Sequence, residues 1–263
     1  DTDEPDDPTV TPLSLPPALS ATKTDVLETD PDGDGAAGPG SVIRYLVVIA
    51  NSGRGTATNV IFRDRPDSAT ALINGTAGTV LEMDEGNQFA RGHPGMHVVP
   101  AALAVAGAIG GVNGRDLLGA VALGYEAAAR VGIATTPNPA MHPHGTWGAI
   151  GAAVAVQRLT AAGPARMRTA MNMAASLGLT TSRRTMLEGG TVRNAFTGFA
   201  AQAGVLVGDM VTAGFTADSE GVAHVYGHVA GSSFDAGALT ASLGVRWEVA
   251  RNYFKMHSCC RYN

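Results

Sequence analysis

Groups that can trade protons near neutral pH are concentrated in a few short stretches of this sequence. Its seven histidines are His93, His97, His142, His144, His224, His228 and His257. Just ahead of His93, Glu82, Asp84 and Glu85 set three carboxylates within four residues. Alone, such a run is a solvated acidic turn. Beside a buried histidine it could hold a carboxyl with a raised pKa, the arrangement of an acid–base pair. Lys255 lies between Phe254 and Met256. Apolar neighbours of that kind desolvate an ammonium, which then suits it to anchoring a carboxylate or carrying a proton. The alternative is an ordinary strand lysine with a buried stem.

Two histidine pairs have metal-like spacing. His93-Pro-Gly-Met-His97 is the i, i+4 pair of a helix, and His142-Pro-His144 the i, i+2 pair of a strand or loop. Cys259 and Cys260 would add soft ligands. Pro94 spoils the helical face of the first pair, however, and no third ligand is close in sequence. A metal site is therefore not expected, and each lone histidine reads first as a hydrogen-bonded, partly buried residue. Asp30-Pro-Asp32-Gly-Asp34-Gly35 matches the first half of a calcium loop. Position twelve, where a bidentate Glu belongs, is Ser41, so the stretch is expected to be an Asp/Gly turn between strands.

Composition is globular, with 45% apolar and 16% charged residues. Residues 1–72 carry 12 acidic and 5 basic side chains, and the rest carry 11 and 13. That asymmetry suggests two pieces. Neither has a basic stripe, so nucleic acid is not an expected partner. Adjacent cysteines pair poorly, which mildly favours a reducing compartment. The uncharged runs 92–114 and 131–157 are broken by Gly, Pro, His and Asn, and no membrane span is expected.

The elements that must position these residues are legible in part. Residues 1–17, rich in Asp, Pro and Thr, read as a disordered acidic leader. Residues 20–27, 42–49 and 58–62 read as short strands. From Asn74 onward the period becomes helical. Residues 100–109 are good helix formers. Asn113 is a plausible N-cap, with Asp116 three residues on, for a helix to about Val131. Further helices are expected over 145–162, from Pro164 to about Leu177, and over 192–213, with β-like patches in 247–262. Ala and Gly dominate, so the helices should cross closely.

The stretches 21–25, 30–35, 43–51 and 57–62 together resemble a repeated immunoglobulin-like β-sandwich module of bacterial surface proteins, covering residues 18–73. That would imply a spacer without chemistry and an extracellular location. Asn74-Gly-Thr-Ala-Gly-Thr-Val-Leu-Glu-Met-Asp-Glu-Gly-Asn87, then His93–Ala102, His142–Ala153, Val192–Ala201 and Tyr253–Tyr262, in that order, resemble the MmgE/PrpD family of 2-methylcitrate dehydratase and cis-aconitate decarboxylase.

The second resemblance implies a mainly α fold, in residues 74–250, and a small lid beginning at 251–263. It implies a cytoplasmic homodimer with a metal-free, cofactor-free site for a di- or tricarboxylate. Glu82 stands where the family's acidic residue is usually Asp. His93 and His142 match the site histidines, Arg193 stands where many members have Lys, and Lys255 matches the lysine at the lid entry. Gly86 replaces a common Thr. The catalytic residues expected are thus Glu82, His93, His142 and Lys255, with Arg193 and Lys255 holding carboxylates. The family's first helices would precede Asn74 and its lid would follow Asn263, so the chain is expected to be an incomplete lyase, inactive alone. The competing expectations are a surface-module protein and a carboxylate binder without turnover.

Overall fold

The structure is a computed structural model that describes residues 16–36, 42–58 and 67–257. The leader, the strand expected at 58–62 and the two cysteines fall wholly or mostly outside the described residues. The chain divides into two compact units, Asp1–Asp64 and Arg65–Asn263.

The first unit holds two antiparallel strands, β1 (Leu19–Thr29) and β2 (Val42–Asn51), in register from Leu19 opposite Asn51. Their β-branched content explains the extended backbone. Almost every residue on both strands is exposed, Leu46 by 62%. Among the described residues this is a two-stranded hairpin with no second layer over either face, so a β-sandwich, of which the sequence suggested only a part that could not close, is not seen. After β1, the Asp30 carboxylate accepts the backbone N–H groups of Gly33 and Gly35 at 3.1 and 2.8 Å. Those bonds make an Asp/Gly turn, and they hold the Asp30 pKa down.

The second unit is helical. Its first helix, α1 (Asp67–Val80), starts before Asn74, so the change of period comes earlier than the sequence pattern suggested. Next come the short strand β3 (Glu85–Gly86), α2 (Gly95–Ile109) and α3 (Gly114–Ala134). The Asn113 side chain accepts the Asp116 N–H at 2.9 Å, as its type and position predict. Beyond β4 (Thr135–Pro137) lie α4 (Gly148–Leu159) and α5 (Pro164–Ser176), the latter opening on proline. The short α6 (Arg183–Leu187) and a 3₁₀ turn at Thr191–Asn194 lead into α7 (Ala195–Thr212). Strand β5 (Gly231–Phe234) pairs with β4, and β6 (Tyr253–Phe254) pairs with β3.

Helix α4 is the axis of this unit, packed against α2, α3, α5 and α7, and every residue from Gly148 to Gln157 is buried. Its small residues make that possible. A side-chain carbon at Gly124 of α3 would meet the Gly151 carbonyl of α4, and one at Gly151 would meet the Gly124 carbonyl. The two backbones touch where neither has a side chain. Helix α3 is long and apolar enough, by length and composition, to cross a membrane, but over half of its apolar stretch is buried among the other helices. That is the pattern of a core helix.

Candidate active site

The site grows from the chain that follows α1. Thr79, fully buried near the end of that helix, donates to the Asn194 carbonyl at 2.9 Å and so ties the helix to the turn carrying Arg193. Glu82 follows with φ of 56°, a left-handed backbone that a residue with a side chain seldom adopts. Such strain persists where surrounding bonds fix it, commonly at functional sites. The fully buried Glu82 carboxylate meets the Arg193 guanidinium on one oxygen and the Lys255 ammonium at 3.4 Å on the other.

Strand β3 then places Asp84 and Glu85. Asp84 Oδ1 accepts from Lys255 at 2.6 Å, and its Oδ2 lies 3.0 Å from His93 Nδ1. Lys255 reaches this point because β6 pairs with β3, Tyr253 opposite Gly86. A side-chain carbon at residue 86 would collide with the Tyr253 ring, which accounts locally for glycine there. The Glu85 carboxylate caps α2 by accepting the Gly95 N–H at 2.8 Å. Burial, reinforced by the charge of Asp84 against the Gly95 bond, pushes its pKa up to about 7.

Four histidines close the other side. His93, His97 and His142 pack their rings around His144, at centroid distances of 4.8, 6.0 and 4.6 Å, all edge-on. Burial lowers the pKa of each: to about 4 for His97 and His142, and well below the usual value for His144. In the neutral form the bonding partners settle which nitrogen carries the proton. His93 Nδ1 faces two acceptors, the Asp84 carboxylate and the Glu85 carbonyl. It therefore holds the proton and leaves Nε2 a lone pair. His142 Nδ1 accepts the His144 backbone N–H at 3.1 Å, so its proton sits on Nε2. His97 is fully engaged, donating from Nδ1 to the His93 carbonyl at 2.9 Å and accepting the Gly145 N–H on Nε2 at 3.1 Å.

The fold thus brings together Glu82, His93, Arg193 and Lys255, and joins His142 to them through the His144 ring. Asp84 and His144 are central to the cluster although they were not among the expected site residues. Their signal was present, since each lies two residues from one that was. His224 and His228 pair with each other, at 5.5 Å between ring centres, and His257 is exposed. Asp84, His93 and His144 present donor atoms within 4.8 Å of one another, a spacing that alone would admit a cation. The Lys255 ammonium already sits on that carboxylate and the His93 N–H on its second oxygen, so the arrangement reads as an ion-pair cluster. His142 also lines a small, mainly apolar cavity of about 80 Å³ with Arg91, Met141, Trp147, Arg183 and Tyr226.

A family model for the MmgE/PrpD N-terminal domain matches residues 37–237. The chain belongs to the MmgE/PrpD family. That is a family of lyase-type enzymes, and it accords with a small-molecule substrate. The match takes in most of the helical unit with Glu82, Asp84, the four clustered histidines and Arg193, whereas Lys255 lies beyond it. No curated protein matches the chain.

Proposed function

We propose that the helical unit carries the acid–base site of a lyase for a di- or tricarboxylic acid, acting at a carbon next to a carboxylate. Dehydration and its reverse are the favoured reaction. The supporting observation is the buried Asp84–His93 pair, 3.0 Å apart, in one cluster with Arg193 and Lys255. Asp84 orients the His93 ring and stabilises the cation it becomes on taking a proton, so His93 Nε2 is the base for the carbon acid. The C–H electron pair becomes the new double bond as the C–O bond breaks. The hydroxyl leaves as water with the proton His93 has taken, and both histidines end neutral. His142, held as a donor at Nε2, stabilises the enediolate-like charge by a hydrogen bond.

Arg193 and Lys255 are assigned to the substrate carboxylates. Glu82 lies against both cations, and its part is to hold them in place. The enzyme is expected to work as a homodimer; exposed Ile73, Leu81, Phe199 and Leu206 supply apolar surface for a second copy.

The test is turnover of a panel of hydroxylated di- and tricarboxylates, followed by proton NMR in deuterated water. Conversion should fall roughly 10²–10⁴-fold in His93→Gln and about 10²–10³-fold in His142→Ala. Near-normal rates in His142→Ala defeat the assignment of that residue, and failure to convert or exchange any acid in the panel defeats the lyase reading.

A further inference from the structure

The cluster has a charge problem that the proposed function makes acute. Its two cations are already neutralised from within, Arg193 by Glu82 and Lys255 by Glu82 and Asp84. A polycarboxylate that recruits them must strip them from these carboxylates, leaving buried negative charge, and an uncompensated buried charge is costly. Neutralising it requires another positive charge at the same place.

His144 is the group placed to supply one. It is fully buried, and neither ring nitrogen has a hydrogen-bond partner. An orphaned buried nitrogen is itself unfavourable, and a native fold seldom keeps two without a use. Nε2 is 4.0 Å from Asp84 Oδ2, beyond hydrogen-bond range but a small ring shift short of it. The charged and titratable groups about His144 are Asp84, His93, His97, His142 and Lys255, with Glu82 and Arg193 bonded onto that set. Among the histidines, His97 cannot take a second proton without losing the Gly145 N–H, nor His142 without losing the His144 N–H. His93 already spends its N–H on Asp84 and the Glu85 carbonyl, and its free nitrogen is the proposed base. Lys255 departing from Asp84 removes the nearest cation facing His144 and exposes it to the bare carboxylate.

We infer that polycarboxylate binding at this site takes up a proton on His144, which replaces Lys255 as the counterion of Asp84 when the lysine turns to the ligand. The proton comes from solvent, and no bond other than N–H is made. His144 is thus a positioning residue that holds Asp84, and through it His93, in place once the ligand has drawn the lysine off. The inference rests on the carboxylate-site reading above.

The test is calorimetric titration of the whole chain with succinate and with citrate, each in two buffers of different ionisation heat, at a pH where the ligand is fully ionised. In the pH window between the pKa of His144 in the free chain and in the complex, uptake of about one proton per bound ligand is expected and affinity should fall about tenfold per pH unit, levelling off above the pKa of the complex. His144→Gln should still bind but with no proton uptake and a flattened pH dependence. Binding of the unaltered chain without proton uptake overturns the inference and leaves the carboxylate site intact. Uptake that persists in a folded His144→Gln chain overturns the assignment to His144. Absence of any binding removes the carboxylate site itself, and the inference with it.

Discussion

The helical unit buries two charged clusters, and they are built on opposite terms. In one, Arg130 donates to Glu126 and to the carbonyls of Leu239, Ala241 and Arg246. The second Glu126 oxygen accepts the Glu248 N–H, and Glu248 in turn accepts from Arg246 and Arg251. Every member has its partners, mostly backbone, and the effect is to strap residues 239–251 onto α3. The other cluster, around Asp84 and Lys255, keeps buried polar atoms without partners and one residue in a left-handed conformation. A satisfied network holds structure together, whereas an unsatisfied one leaves bonding capacity for a ligand.

That contrast can be broken by substitution. Arg130→Met should cost about 3–5 kcal/mol, because it strands a buried carboxylate. Urea denaturation would measure it, and a loss under 1 kcal/mol would mean the strap is not structural. Second in size is a pH effect at Glu85. Its folded pKa of about 7 lies above the ordinary 4.5, so the folded chain holds a proton there that the unfolded chain releases. Stability from this group is therefore full at low pH and declines as pH rises between those values, by on the order of 3 kcal/mol. The buried histidines, with lowered pKa, act the other way and cost stability as pH falls from the ordinary 6.5 toward 4. Glu85→Gln should thus stabilise the protein more at pH 8 than at pH 5 in thermal melts.

Gly86→Thr should destabilise by about 1–3 kcal/mol, since the added carbon must displace the Tyr253 ring. Protease sensitivity should rise after Arg251 in particular, as β6 loosens from β3. The smallest change sharpens the comparison most. His144→Leu roughly keeps the side-chain volume and removes the two orphaned nitrogens, so the melting point should hold or rise by an amount worth about 1 kcal/mol. A fall as large as that for Arg130→Met would put both clusters in the same structural class.

Much of this architecture could be read from local chemistry. Asn113 with Asp116, and Pro164 after Gly163, mark helix starts by mechanisms confined to a few residues, and the structure has both. The start of helix α1 over 67–73 is not legible in the sequence because Asp67, Ser68, Thr70 and Ile73 are indifferent helix formers. What supports it is tertiary, the close approach of Gly75 to Gly198 on α7. The expected helix over 100–109 begins earlier, at Gly95, because Pro100 sits inside the helix rather than opening it. Around the site, motif order singles out Glu82, His93, Arg193 and Lys255, which the fold brings into one cluster. The centrality of Asp84 and His144 depends on three distant segments converging, which spacing within one segment does not report. The Glu126–Arg130 pair looks like any exposed i, i+4 ion pair on a helix, and only burial by residues 239–251 shows otherwise.

One feature of the site bears on how the protein is made. Lys255 meets Asp84 across 171 residues of chain, on a segment that pairs through only two residues. During synthesis Lys255 leaves the ribosome 171 residues after Asp84. Until then Asp84 has no lysine opposite it, and Arg193 offsets only Glu82. The charge balance of the centre is therefore completed by elongation through Lys255 and not by collapse of the preceding helices alone.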